Sequence, residues 1–363
     1  MIHITIHDKT QDLTKILKDL IDLDVGTFKT NYGLFKEGRD WSVETSKTDI
    51  NEDIQNLLEK PIKSSSDLND NDWKIIKQNR FRKIQYRAFN ERWSYFSQKQ
   101  KGFIAYPRWE IMQHLIEKDN IGLVFSRQVS KDKWKHVFIT DKITDGHSIS
   151  GWTYVAPLYL NHKKCIQSKL VDDKELDNSD EDCKLVNFTE NFKKFISKQY
   201  TPTPDTYDIF SYIYAIFHSN VYREKFDEFL KLDFPRIPFI DDFNKFMELS
   251  KLGKNLIDTH LLKNTFGTFD IAKYPVEGDD IVEKIRYEEK TQKLYINKEQ
   301  YFEIVPKMVW EFEIGDYKVL DKWLKYKKGT KLSYADINHF QKVVCSLADT
   351  ILIMDKIDNV VTF

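Results

Sequence analysis

The chain has 363 residues, of which 41% are hydrophobic and 31% are charged. This length and composition are typical of a folded protein with more than one lobe, and they exclude an intrinsically disordered chain. The formal net charge of -1 gives no support by itself to nucleic-acid binding, because a duplex attracts positive charge.

The cysteines and the N-terminal sequence indicate in which cellular compartment the protein is expected. The three cysteines, Cys165, Cys183 and Cys345, lie far apart, which argues against a disulfide framework and a cysteine zinc site. The N-terminus lacks the basic start and apolar core of a signal peptide, and no run of about 18 apolar residues occurs. We therefore expect a cytoplasmic protein that is neither exported nor membrane-spanning.

Residues 1–66 are predicted to form a linker or coupling segment. A short strand is followed by an apolar periodic stretch around residues 13–20 and then by polar sequence. Residues 63–72 contain three consecutive serines and several acids and amides, a composition typical of an exposed loop. We place the first domain boundary there.

Residues 67–200 are predicted to form a mixed β recognition lobe. Alternating runs indicate strands at 103–106, 122–128 and 134–140, and residues 111–116 are typical of a helix. Residues 171–190 hold eight acids against two lysines, so repulsion between like charges predicts a surface loop there.

Residues 201–363 are predicted to form a largely helical lobe. Apolar residues recur at three- and four-residue intervals from Tyr207 to Leu230, which predicts one or two buried helices. Pro235 and Pro238 then impose an extended segment with Arg236 between them. For Arg236 we favour packing beside core aromatics over binding an anion.

Two further elements complete an α+β fold. Alternation over residues 281–304 predicts a β-hairpin with its tip at 290–293. Ser333 is placed as the N-cap of a C-terminal helix, with Asp336 three residues on. The expected architecture is a mixed-sheet recognition lobe, a largely helical second lobe and a C-terminal helix.

A basic, aromatic-rich segment is the strongest candidate for phosphate binding. Residues 74–101 hold nine basic residues and one acid, interleaved with aromatic residues that would anchor the backbone to the core. The predicted phosphate contacts are Lys74, Lys77, Arg80, Arg82, Lys83, Arg87 and Arg92. A solvated or partner-facing patch explains the same composition equally well.

Base readout requires arginine or lysine facing guanine, or asparagine or glutamine facing adenine. The second basic cluster, together with an arginine that follows Tyr106-Pro107, supplies such side chains at predicted strand ends. The candidates are Arg108, Arg127, Gln128, Lys131, Lys133, Lys135 and His136.

Catalytic motifs are missing from the sequence. It contains no Asn/Asp-Pro-Pro-Tyr loop for amine methylation and no glycine-rich phosphate loop for a motor. Asp279 or Asp280 with Glu288-Glu289-Lys290 resembles a magnesium nuclease triplet, but such triplets are common in a highly charged chain, and we favour a structural role. The histidines are too dispersed to indicate a metal site. We expect no catalytic residue and no metal ligand in this chain.

Four sequence blocks resemble one family. They are residues 212–238, which include Asp233-Phe-Pro-Arg-Ile-Pro238, then 87–93, 295–301, and 309–315 continuing into 319–324. Taken in chain order, these blocks resemble the C-terminal part of Type ISP restriction-modification enzymes and their Type IIG-like relatives. The resemblance implies an adenine-N6 DNA methyltransferase family whose target-recognition part is matched here, with the catalytic half absent. S-adenosylmethionine and magnesium would then belong only to a catalytic partner or missing half, and the chain would need no cofactor.

The resemblance makes DNA binding the leading hypothesis. We expect sequence-specific binding of double-stranded DNA, with a methyltransferase or restriction subunit as partner. The alternative is a protein-interaction module that docks such a subunit and binds DNA only weakly. A self-sufficient nuclease that uses Asp280, Glu288 and Lys290 ranks last.

Overall fold

The computed structural model describes residues 81–95, 104–106, 108–116, 119–127, 129, 133–162, 183–263 and 270–363, together with four short strands before residue 45. The predictions for residues 63–72, 74, 77, 80, 128 and 131 lie outside the described residues. Arg82 is described only as a strand position.

The strands form several small sheets, and the described pairs are antiparallel except β5 with β10. Their bounds are β1 Leu20–Asp22, β2 Asn31–Tyr32, β3 Phe35–Lys36, β4 Val43–Glu44, β5 Phe81–Arg87, β6 Asn90–Tyr95, β7 Ile104–Tyr106, β8 Gly122–Ser126, β9 Val137–Thr140, β10 Ile143–Thr144, β11 Thr153–Pro157, β12 Tyr159–His162, β13 Cys183–Val186, β14 Arg236–Pro238, β15 Arg286–Glu288, β16 Lys293–Tyr295, β17 Tyr301–Phe302, β18 Glu313–Ile314 and β19 Tyr317–Lys318. The sheets run β2-β11-β8-β9, β10-β5-β6-β4, β15-β16-β17, β1-β14, β3-β7, β12-β13 and β18-β19.

Helices dominate after residue 190. Their bounds are α1 Trp109–Met112, α2 Glu190–Gln199, α3 Thr206–His218, α4 Asn220–Lys225, α5 Asp227–Leu232, α6 Phe243–His260, α7 Lys307–Trp310, α8 Val319–Tyr326 and α9 Tyr334–Val360. Side-chain caps begin the larger ones, because the first backbone N–H groups of a helix need acceptors. Asp205 caps α3, Asp242 caps α6, and Ser333 with Asp336 forms a capping box on α9.

Strands β8 and β9 lie between two hydrophobic cores. Alternate side chains of a strand point to opposite faces. Leu123 and Phe125 of β8 therefore pack into a first core with α2, α3 and α6. Val124 of β8 and Phe138 of β9 pack into a second core with β16, β17, α8 and α9. Every residue of both strands is buried, so β8 and β9 lie at the centre of the part of the chain that the structure describes.

Helix α9 connects the two cores. Phe340, Val343 and Leu347 in its first half belong to the second core, whereas Ile357 near its end belongs to the first. Both cores also draw on residues from either side of residue 200. The predicted boundaries at residues 66 and 200 remain predictions, and neither core is confined to one predicted lobe.

Close packing of α3 against α6 depends on Gly253. A Cβ built at this position would lie 1.9 Å from the carbonyl oxygen of Ser211, which is backbone and cannot move aside. Replacing glycine by alanine at an exposed site inside a helix stabilises it by about 1 kcal/mol. At Gly253 the clash with the carbonyl oxygen of Ser211 makes the same substitution destabilising.

Gly253→Ala should therefore lower the free energy of unfolding by about 3 kcal/mol, the upper part of the usual overpacking range. Urea unfolding followed by circular dichroism measures this change. Lys251→Ala, on the exposed side of the same helix, is the matched control and should change stability by less than about 0.5 kcal/mol. A stabilised Gly253→Ala variant would contradict the close helix contact.

The structure confirms the α+β class and most predicted elements. Helices α3, α4 and α5 cover the stretch from Tyr207 to Leu230, β14 is the extended segment between the two prolines, and the hairpin turns between β15 and β16. The backbone carbonyl of Arg236 accepts a 2.6 Å hydrogen bond from the hydroxyl of Tyr222, which holds this segment against α4.

The predicted loop at 171–190 is wrong at its C-terminal end. Residues Cys183–Val186 form β13 and pair with β12, and Glu190 begins α2. Partly buried Val186 packs against the first core, as does the residue two positions on, Phe188, which is 7% exposed. Apolar anchoring therefore outweighs like-charge repulsion at this end. Residues 171–182 lie outside the described residues.

Candidate nucleic-acid interface

The described phosphate candidates lie on the β5–β6 hairpin. Lys83 is exposed, and its ammonium lies 3.1 Å from a carboxylate oxygen of Glu91. Arg87 is 17% exposed and donates a 3.0 Å hydrogen bond to Asp145. The guanidinium of Arg92 lies over the ring of Tyr86, 4.0 Å from its centroid. Of these three, Lys83 is the most accessible to a phosphate, and the predicted roles of all three remain predictions.

Arg127 and Lys133 lie in the loop from β8 to β9. Arg127 is 46% exposed and its Nε donates a 2.8 Å hydrogen bond to Asp233. Lys133 is 64% exposed and lies 2.9 Å from Glu224. Exposed ion pairs of this kind contribute about 0–1 kcal/mol each. Both cations can therefore exchange a carboxylate for a phosphate at little cost.

Lys135 and His136 are engaged differently. Lys135 is 2.7 Å from Glu313, and His136 Nε2 is 3.0 Å from Asp316. The side chain of His136 is only 4% exposed, and burial lowers its pKa despite the neighbouring Asp316 carboxylate. These contacts hold the β18–β19 hairpin, so the two residues serve the internal packing of the chain. Their predicted part in base reading is untested.

The hairpin itself docks closely on the loop that follows β10. Gly315 donates its backbone N–H to the carbonyl of Lys135 at 3.0 Å, and a Cβ on Gly315 would lie 1.8 Å from the carbonyl oxygen of Ile149. The hydroxyl of Tyr317 donates to the carbonyl of Ser148 at 2.7 Å. The segment 309–315, one of the four blocks of the sequence resemblance, thus supports the loops around the candidate readers.

The remaining candidate that the structure describes is Arg108. It precedes α1 in a left-handed conformation, with φ 47° and ψ 48°, and it is half-buried. This conformation is uncommon for a residue with a side chain. The part of Arg108 in base reading stays a prediction.

Trp152 was not among the residues predicted from the sequence. It is 53% exposed and follows Gly151, whose φ is +58°. The β8–β11 ladder ends at the pair of Ser126 and Thr153; Arg127 follows Ser126 in the chain and Trp152 precedes Thr153, so both lie just beyond the same end of the ladder. A tryptophan beside a glycine in a polar turn between two strands was the signal available in the sequence. We name the set Arg127, Lys133 and Trp152 the recognition edge.

The acids of the candidate nuclease triplet accept hydrogen bonds from neighbouring side chains of this chain. Asp280 accepts hydrogen bonds from Gln300 at 2.7 Å and Tyr274 at 3.1 Å, and Glu288 accepts one from Thr291 at 2.7 Å. Across the ranges given above, no group of three or more histidine, cysteine or acidic side chains could hold a metal ion. Within the same ranges, no helix is both long and apolar enough to cross a membrane.

The family model of the Type ISP C-terminal specificity domain matches residues 3–356. The chain belongs to this family. The match spans nearly all of the sequence and confirms the resemblance drawn from the four blocks. A comparison with curated proteins finds no significant match.

Solved structures share the fold of this Type ISP specificity domain. The ATP-dependent Type ISP restriction-modification enzyme LlaBIII bound to DNA aligns with a TM-score of 0.66 and 17% identity, over 94% of this chain and 24% of that one. A nuclease-deletion mutant of the Type ISP enzyme LlaGI in complex with a DNA substrate mimic aligns with a TM-score of 0.63 and 15% identity, over 95% of this chain and 29% of that one. A DrdV–DNA complex aligns with a TM-score of 0.68 and 16% identity, over 91% of this chain and 36% of that one. The specificity domain thus spans about a quarter to a third of their lengths.

Proposed function

We propose that this chain binds double-stranded DNA sequence-specifically, as the target-recognition part of a restriction-modification system. The observation that carries the proposal is the specificity-domain family match over residues 3–356. Three proteins of the same fold, each captured on DNA or a DNA mimic, support it. Catalysis would come from a methyltransferase or restriction subunit, which would also hold S-adenosylmethionine and magnesium. The cytoplasm is the compartment where such a system meets DNA.

Within this proposal the recognition edge contacts the duplex. Arg127 and Lys133 supply exposed positive charge from one loop, and Trp152 supplies an apolar ring at the adjacent turn. Cations on phosphates give salt-dependent affinity, whereas an apolar ring contacts bases or sugars with little dependence on salt. Lys83 and the basic residues outside the described ranges would extend the phosphate contacts.

DNA affinity measured against salt concentration tests the edge. Replacing both Arg127 and Lys133 with glutamine should reduce the slope of log K against log salt by about 1.8, because each phosphate that a cation neutralises adds about 0.9 to that slope. Trp152→Ala should lower affinity and leave the slope unchanged. Fluorescence anisotropy with a duplex obtained by selection from a random pool provides the measurement.

The matched control replaces Lys193 and Lys307 with glutamine. Both are exposed, and each is ion-paired to a glutamate at 2.8 or 2.9 Å, as the edge cations are to acids. This control should bind DNA as the unmodified chain does. An unchanged slope in the edge variant would remove Arg127 and Lys133 from the interface, and a selection that enriches no motif would contradict sequence-specific binding.

The alternative, a docking module for a catalytic subunit, has one observation in its favour. Five of the candidate cations that the structure describes, Lys83, Arg87, Arg127, Lys133 and Lys135, are paired with carboxylates of this chain. This pairing reduces the positive field that sequence counting indicates. A docking module would release DNA at low salt and would bind the catalytic subunit with DNA absent.

A further inference from the structure

The loop that joins β10 to β11 carries Trp152 of the recognition edge. We call residues 145–152 the Trp152 loop. A backbone hydrogen bond closes it, because Thr153 donates its N–H to the carbonyl of Gly146 at 2.9 Å. His147 and Trp152 are the first and the last residue enclosed by this bond. The closed loop therefore brings two residues together that are five positions apart in the chain.

Two neighbouring hairpins hold the Trp152 loop from outside. The guanidinium of Arg87, in the β5–β6 hairpin, donates a 3.0 Å hydrogen bond to the carboxylate of Asp145. The hydroxyl of Tyr317, in the β18–β19 hairpin, donates to the carbonyl of Ser148 at 2.7 Å. Arg87 begins the resemblance block at 87–93, a block that the recognition edge does not use. The backbone of the loop is thus fixed by contacts that are distant in sequence.

The imidazole of His147 packs against the indole of Trp152. The two ring centroids are 5.0 Å apart and the rings are inclined at 87°, the edge-to-face arrangement that aromatic pairs prefer. Asp145 fixes His147 in turn, because its Oδ1 accepts the backbone N–H of His147 at 2.9 Å. The same oxygen accepts the hydrogen bond from Arg87. A continuous series of contacts therefore leads from Arg87 through Asp145 and His147 to the indole.

The two rings differ in exposure. Trp152 is 53% exposed, whereas His147 is half-buried beside it. Ordering one mobile side chain on binding weakens affinity by about two- to twelve-fold. An indole that already rests on a fixed ring avoids much of this cost. The geometry is that of a contact residue held in place by a residue behind it.

We propose that His147 is a positioning residue for Trp152, and that Arg87 acts through Asp145 on this pair. His147 holds the indole in the orientation in which it meets the duplex. The inference rests on the DNA-binding function proposed above, and it names what prepares one side chain of the recognition edge for that contact. Arg87 is only 17% exposed, which suits a supporting role better than a phosphate contact.

The charge state of His147 gives the contact a measurable signature. Burial lowers the pKa of His147, and the Arg87 guanidinium lowers it further, although the Asp145 carboxylate acts in the opposite direction. The ring is therefore neutral near pH 7. Protonation places a positive charge against the indole, so a signal from Trp152 should report the titration of His147.

Fluorine NMR of the free chain tests the contact without DNA. The chain is labelled with 5-fluorotryptophan, and Trp152→Phe assigns the signal of Trp152. His147→Ala should narrow this signal, because the indole gains motion, whereas His147→Phe keeps an aromatic ring there and should leave it broad. The signal of Trp134, which is buried against Phe217, reports folding and should not change. An unchanged Trp152 signal in folded His147→Ala would overturn the proposal.

A pH series adds a readout that a purely structural role does not give. The Trp152 signal should shift with a midpoint below pH 6.5, because the pKa of His147 is lowered. Asp145→Asn removes the carboxylate that favours the imidazolium, so the midpoint should move to lower pH. Asp141→Asn is the matched control, because Asp141 pairs with Lys142, and it should leave the midpoint unchanged. A shift that persists in His147→Phe would contradict the contact.

A double-mutant cycle connects the contact to DNA binding. His147→Ala should weaken binding of the selected duplex about five-fold, within the range expected for one mobile side chain. The salt slope should not change, because no cation is lost. In a Trp152→Ala background the same substitution should have no further effect, since His147 acts through the indole. Equal losses in both backgrounds would overturn the positioning role.

Failure of this proposal and failure of the proposed function give different results. If the chain binds no duplex, the fluorine signals of the free chain still decide whether His147 fixes Trp152. If Trp152→Ala binds DNA as tightly as the unmodified chain, the DNA role of His147 is overturned and the specificity-domain function stands. If the Trp134 signal shows that His147→Ala does not fold, the pH series on His147→Phe and Asp145→Asn decides.

Discussion

Gly315→Ala should abolish specific DNA retention and destabilise the chain by about 3 kcal/mol or more. Two costs add at this position. The φ of Gly315 is +61°, a left-handed conformation that costs an alanine about 1–2 kcal/mol. The added Cβ would also lie 1.8 Å from the carbonyl oxygen of Ile149, and overpacking against backbone costs about 1–3 kcal/mol. The hairpin that carries Glu313 and Asp316 would then move away from Lys135 and His136.

Gly329→Ala separates the two costs. Gly329 also has a positive φ, +81°, but no atom lies within 4 Å of a Cβ added there. This control should lose about 1–2 kcal/mol and retain DNA binding. Urea unfolding and DNA anisotropy on both variants give the comparison. If Gly315→Ala loses no more stability than Gly329→Ala, the hairpin does not dock as closely as its contacts indicate.

Acid should destabilise this protein at a pH well above that at which carboxylates titrate. His218 and His260 lie in the interior beside Arg223, and burial lowers the pKa of both, that of His260 to about 3. In the unfolded chain a histidine has a pKa near 6.5. Below that pH the unfolded state binds protons that the native state does not, so stability falls as pH falls. The two histidines together should cost about 3 kcal/mol between pH 6.5 and pH 5.

Hydrogen bonds around His260 explain why protonation is costly there. The hydroxyl of Thr350 donates to the carbonyl of Ser346 at 2.7 Å, so its oxygen accepts from His260 Nε2–H at 2.8 Å. Nδ1 then accepts from the hydroxyl of Tyr214 at 2.6 Å. The neutral ring is fully satisfied, and a second proton would face a donor. Urea unfolding at half-unit pH steps measures the slope, and constant stability between pH 7 and pH 5 would contradict buried, neutral histidines.

Local patterns predicted the elements that local interactions form. The spacing of aromatics from Tyr207 onward predicted the helices α3 to α5, because large apolar side chains recur at three- and four-residue intervals there. The spacing did not show that α3 is buried on every side from Asp208 to His218. Ser333 and Asp336 predicted the start of α9, because a capping box involves residues three apart. The prolines around Arg236 predicted β14 for a similar reason: each restricts the backbone of its own neighbour.

The environment of the candidate site could not be predicted in this way. Arg127 pairs with Asp233 across 106 positions, and Lys135 pairs with Glu313 across 178. A local count of charges assigns these cations to an open surface, since their acidic partners are distant in sequence. The exposure of Trp152 could not be predicted either, because the periodicity of a strand does not show where its sheet ends. Only the assembled fold distinguishes Lys133, which is accessible, from His136, which is enclosed.

The double burial of β8 and β9 limits how a new DNA target could evolve in this scaffold. Every residue of these strands is buried, and their apolar side chains fill one core or the other, so neither strand has a spare face on which side chains can be exchanged freely. Changes in the preferred DNA sequence must therefore arise beyond the ends of the strands, at turns such as that of Gly151 and Trp152. Laboratory diversification should be directed to those ends, and libraries that randomise the strand interiors should yield mainly misfolded chains.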